Sequence, residues 1–145
     1  MLLRVCFTLS IYLAVNRALK NKRTGNVVTS CFKLCSSTTG QTSCSFLVNS
    51  SRIEAGAINN IILSYNISNS GSVFRIKANG LIVDNAAPSR IYYKHDGLNV
   101  DIYMSVETGY VIANVLPLHM SSLAIDMEPI IVSEIPSDAT EVSIQ

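Results

Sequence analysis

Between residues 58 and 80 the chain reads INNIILSYNISNSGSVFRIKANG, and apolar side chains recur at every second position. Ile61, Leu63, Tyr65 and Ile67 fall on one face of an extended segment, with Asn60, Ile62, Ser64 and Asn66 on the other. This is the period of a strand with one buried side. After SNSG at 68–71, where Asn69 or Gly71 can take a positive φ, Phe74, Ile76 and Ala78 alternate with Arg75 and Lys77. The pattern predicts a β-hairpin.

The alternation continues downstream. RIYYK and LNVDIYMSV flank HDG, whose Asp96-Gly97 pair is a turn signal. In the second of these runs Leu98, Val100, Ile102 and Met104 face one way, and Asn99, Asp101, Tyr103 and Ser105 the other. ETG at 107–109 turns the chain into YVIANV, and Pro117 ends that run or sets it at a sheet edge. SFLVN at 45–49 gives a further short strand upstream. Strands spaced about 8–12 residues apart predict an all-β, antiparallel β-sandwich of about seven strands. Its expected span is 44–120, after a linker with a cysteine-containing loop at 19–43.

Residues 121–145 carry Asp126, Glu128, Glu134, Asp138 and Glu141 and no basic side chain. Ile130, Ile131, Val132, Val142 and Ile144 leave room for an acidic final strand, or for the start of a following domain.

Composition agrees with a β-fold that has an uncharged polar surface: 48% of the 145 residues are hydrophobic and only 14% charged, against roughly 25% charged in ordinary soluble domains. The net charge of +1 hides an asymmetry. Residues 1–23 hold five of the eleven basic groups and no acid, so residues 24–145 hold six bases and ten acids, a net −4. With no basic patch interleaved with aromatics, a nucleic-acid partner is not expected.

The N-terminus opens with Arg4 and runs apolar from Val5 to Val15. Eleven residues suit the core of a secretory signal and fall short of the ~20 that span a bilayer as a helix. A signal-peptide-like segment over 1–18 is therefore expected rather than a transmembrane span, with an amphipathic or buried first element as the alternative. KNKR at 20–23 is a basic run of the type cut by processing enzymes, or a solvated linker.

Cys6 lies inside the signal-like segment, leaving Cys31, Cys35 and Cys44. No CxxC occurs and His95 and His119 lie far downstream, so no metal site is expected. In an extended strand Cys31 and Cys35 would point the same way with Cα atoms about 13 Å apart, beyond the roughly 7 Å limit of a disulfide. Cys35–Cys44, separated by the turn-rich SSTTGQTS, is the easier pairing and Cys31–Cys44 the alternative. NSS at 49–51 and NIS at 66–68 are sequons, making Asn49 and Asn66 candidate glycosylation sites. Signal, disulfide and sequons together point to a secreted protein or the outer face of a cell.

No motif for chemistry emerges. GSV and SSL lack the G-x-S-x-G elbow, no phosphate-binding glycine loop precedes a helix, and His95 sits at an expected hairpin tip. Asp96, Asp101 and Glu107 fit scattered surface carboxylates as well as a calcium site. No enzymatic role, cofactor or metal is expected.

CSFLVNSSRIEAGAINNIILSYNISNSGSVFRIKANG (44–80), with its glycine-containing corner and F-x-I-x-A strand, and LNVDIYMSVETG (98–109) resemble the immunoglobulin-like or fibronectin-III-like ectodomain modules that follow von Willebrand A domains in hemicentin-like extracellular proteins. About half the chain takes part. The chain departs from a true immunoglobulin domain in having no Trp and no widely separated cysteine pair, so an inter-sheet disulfide is not expected. The resemblance implies a spacer or adhesion role and transfers no site residue.

These features lead to a secreted or cell-surface module with a structural or protein-binding role, whose exposed aromatic surface is drawn from Tyr92, Tyr93, Tyr103 and Tyr110. A surface subunit assembled by strand donation, with EPIIVSEIPSDATEVSIQ as donor, is the second expectation. A small carbohydrate-binding domain is the third.

Overall fold

The computed structural model describes residues 20–38, 42–52, 56–68, 71–97, 99–121 and 125–145. The signal-like segment 1–18, Asn69 and Leu98 lie outside the described residues. Eleven strands run in chain order: β1 (Asn21–Arg23), β2 (Ser30–Ser37), β3 (Thr42–Arg52), β4 (Ala57–Ser68), β5 (Val73–Ile82), β6 (Ser89–Asp96), β7 (Asn99–Val106), β8 (Val111–Met120), β9 (Ile125–Asp126), β10 (Ile130–Val132) and β11 (Thr140–Val142). They form two antiparallel sheets. The first has the order β1-β8-β3-β4-β5 and the second β10-β2-β7-β6-β11, with β9 pairing β2. The all-β, sandwich-like architecture is as the alternation predicts.

The core forms where the inward sides of the two sheets meet. Phe46 and Val48 of β3, Ile61, Leu63, Tyr65 and Ile67 of β4 and Val111, Ala113 and Val115 of β8 pack against Phe32 and Leu34 of β2, Ile91 of β6 and Val100, Ile102 and Met104 of β7. Withdrawing a Phe, Ile or Leu side chain from water stabilises by about 1.5–3 kcal/mol, so these buried residues fix which face of each strand turns inward. Two buried hydroxyls also meet across the interior, Ser50 of β3 and Ser89 of β6, with Oγ atoms 2.7 Å apart.

One segment departs from the sequence-based expectation, and for another the structure shows the final-strand alternative. The stretch expected as a linker contains β2, which lies between β10 and β7 in the second sheet. Its register with β7 shifts between Lys33 and Cys35, a bulge at Leu34. The bulge changes the parity of the strand, so that Phe32 and Leu34 face the core, and so does Cys35, while Cys31 faces outward. The acidic tail is likewise part of the sandwich. β10 pairs with β2, β11 pairs with β6 at the opposite edge, and Ile144 bridges to Ala78 of β5. These additional elements account for a strand count above about seven.

The connection between β10 and β11, residues 133–139, crosses the outer face of the second sheet over β2, β7 and β6. Lys94 of β6 ties it down through an ion pair to Asp138 at 2.9 Å. This strap explains why the outward-facing Cys31 and Tyr103 are only 5% and 7% exposed.

Candidate functional site

Among the described residues nothing covers the first sheet in this way, and its outer face is ordered in rows. Antiparallel register aligns Asn21, Asn114, Asn49 and Asn60 across β1, β8, β3 and β4. The amides form a ladder: Asn114 Nδ2 donates to Asn49 Oδ1 at 3.0 Å, and Asn49 Nδ2 donates to Asn60 Oδ1 at 2.8 Å. On one side of the ladder lies an aliphatic row of Leu116, Leu47 and Ile62, and on the other Ile112, Ser51 and Ile58. Further along come His119, Ser45, Ser64 and Lys77, with the two serine hydroxyls 2.9 Å apart, then Ser43, Asn66 and Arg75.

The five strands of this sheet contain no Asp or Glu. In the second sheet β6, β7, β9 and β11 carry Asp96, Asp101, Asp126 and Glu141. The two outer faces therefore differ in charge as well as in cover. A surface with uncharged amides and aliphatics at its centre and cations at its margin has the make-up of a protein interface, where charge is depleted in the middle and kept at the rim. Arg75, Lys77, Asn66, Ser64, Ser45 and Ser43 also border a shallow cleft of about 220 Å³.

The four tyrosines expected to form one binding surface are dispersed. Tyr92 and Tyr103 are cross-strand neighbours on the second sheet, and Tyr103 is buried beneath the strap. Tyr93 turns inward against Phe74, ring centroids 4.9 Å apart. Tyr110 lies at the turn before β8, with a left-handed φ of 54° and Arg23 5.9 Å from its ring centroid. Asn66 is exposed and Asn49 is half-buried in the ladder.

Cys31, Cys35 and Cys44 are free thiols, all buried. Because Cys35 is in the second sheet and Cys44 in the first, this pair faces across the interior. The Cys35–Cys44 disulfide expected from the sequence is not formed in this structure, where the two cysteines are facing thiols. The Tyr65 hydroxyl lies 3.7 Å from the Cys35 sulfur. The hydrogen bond with Cys44, together with burial, holds the Cys35 thiol far above the ordinary range, while the same bond favours the thiolate of Cys44. Burial and the two neighbouring sulfurs push Tyr65 up as well. Cys31, also raised by burial, receives a hydrogen bond from the Ile135 backbone of the strap.

The remaining polar groups singled out by sequence have separate partners. Asp101 accepts from the Ser36 hydroxyl and Glu107 pairs with Arg90 at 3.7 Å. His95 Nε2 meets the Gly97 carbonyl at 2.7 Å while its ring stacks on Phe74 with centroids 4.7 Å apart. Among the described residues no helix is long and apolar enough to cross a membrane.

No family model matches this chain, and no curated protein matches it in sequence. Among solved structures, the tailspike protein gp49 of Acinetobacter baumannii bacteriophage Fri1, a capsular polysaccharide depolymerase, is similar over 78% of this chain and 18% of its own. The identity is 15% and the TM-score 0.40, too distant to carry any inference about activity.

Proposed function

We propose that the chain is an extracellular or cell-surface module, similar to immunoglobulin-like ectodomains, that binds another protein through the outer face of its first sheet. The contrast between the two outer faces supports this assignment. The strap covers one, while the other offers Leu116, Leu47 and Ile62 beside a hydrogen-bonded asparagine row. Amides already held by their neighbours lose little side-chain freedom when a partner arrives. The segment proposed as a donor strand contributes β10 and β11 to its own sandwich, which favours the binding module over strand exchange.

The test compares the secreted protein with two single variants for saturable binding to the surface of the producing cell type. Ile62→Arg places a charge mid-face and should lose binding, whereas Glu141→Arg, on the opposite sheet, should retain it. Equal behaviour of the two variants, or retention of the whole chain inside the cell, would overturn the proposal.

A further inference from the structure

One margin of the same face ends in an incompletely paired strand. The outward-pointing backbone groups of β5 belong to alternate residues, as the C-terminus marks: Gly80 N–H donates to the Gln145 carbonyl at 2.9 Å, and Gln145 N–H donates to the Ala78 carbonyl at 3.0 Å. By the same parity the N–H and C=O groups of Phe74 and Ile76 point away from β4. Among the described residues nothing pairs with them. An edge of this kind is a template for another strand.

What borders the edge selects the strand. Arg75 and Lys77 are both exposed and share the outer face. The ion pairs among the described residues use Lys20, Arg90 and Lys94, leaving these two cations without a carboxylate. A second copy docking β5 edge to edge would set cation against cation, which disfavours self-pairing. A strand with carboxylates at alternate positions, spaced about 6.7 Å apart, matches the spacing of Arg75 and Lys77.

We infer that the Phe74–Lys77 edge of β5 takes up an extended acidic peptide segment as an added strand, its carboxylates on Arg75 and Lys77. This rests on the assignment of the first sheet as the binding face and specifies the chemistry of the partner. The backbone groups of Phe74 and Ile76 supply sequence-independent hydrogen bonds, and the two cations supply the selection.

The test titrates a labelled synthetic peptide of alternating glutamate and valine with the full chain, followed by fluorescence anisotropy. Saturable binding is expected, weakened about tenfold or more by Arg75→Glu with Lys77→Glu, and absent for a lysine–valine peptide. N-methylating one alternate set of peptide amides should abolish binding, and methylating the other set should spare it. No binding, equal binding of both peptides, or indifference to both methylation patterns would overturn the inference. A chain whose cell binding depends on Ile62 but which ignores the peptide loses this inference alone; no dependence on Ile62 removes the face assignment with it.

Discussion

Cys35 of β2 and Cys44 of β3 face one another from opposite sheets, with the Tyr65 hydroxyl 3.7 Å from the Cys35 sulfur. Exposure to a low-molecular-weight disulfide such as oxidised glutathione should join them, two thiol hydrogens and two electrons passing to the reagent. The closed loop is short, and its chain-entropy contribution is about 2–3 kcal/mol. A rise in Tm of roughly 5–10 °C follows. Alkylation and intact mass should count one internal bond and Cys31 still free; a bond to Cys31, or no gain in Tm, would contradict the expectation.

Ser50 and Ser89 meet as buried hydroxyls from different sheets. Ser50→Ala should cost about 1–3 kcal/mol because it strands the partner hydroxyl away from water. Ser50→Ala with Ser89→Ala should cost less than the sum of the single changes, since no orphan remains. Urea unfolding of the four proteins measures the coupling directly, and strict additivity would argue against a shared bond.

Both sequons are candidates in the sequence, but their surroundings differ. Asn66 is exposed, while the Asn49 amide is held between Asn114 and Asn60 at the middle of the proposed binding face. Glycopeptide mapping of protein secreted from eukaryotic cells should find sugar at Asn66 and little at Asn49. Full occupancy of Asn49 would cover the face and count against its proposed role.

The Lys94–Asp138 pair should make the strap sensitive to acid. The hydrogen bond from Lys94 lowers the Asp138 carboxyl below its ordinary value, which is about 3.9 in an unfolded chain. Its contribution is therefore present above that value and lost as pH falls through the lower, folded one. Amide exchange over 133–139, corrected for intrinsic rates, should show protection falling in this acid range. Asp138→Asn should remove that pH dependence while leaving the core strands protected.

Much of this architecture was legible in the alternation, and the gaps have physical causes. β4, β7 and β5 as far as Ala78 are plain because each turns one side to the core without interruption, so hydrophobicity reports orientation. β2 was concealed by its bulge: SCFKLCSS breaks period two at Leu34 and resembles a polar linker. The tail reads equally as a final strand or as the start of a following domain, because nothing local indicates that β10 and β11 join opposite edges of one sheet. Tyr103 had the outward parity of an exposed residue, and only the strap above it reverses that expectation. The asparagine ladder is not legible in the sequence although its members sit at outward positions of their strands. Asn49 and Asn114 become neighbours only through the register of β3 on β8, a pairing across 65 residues of chain.

The bulge at Leu34 also decides which thiols can meet once the chain has folded. Three thiols within fourteen residues are near neighbours of one another in the unfolded ensemble, where any two can meet. One inserted residue places Cys31 behind the second sheet, out of reach of either other sulfur once β2 has paired. An oxidant meeting the folded chain would therefore find a single pair of sulfurs facing each other, Cys35 and Cys44.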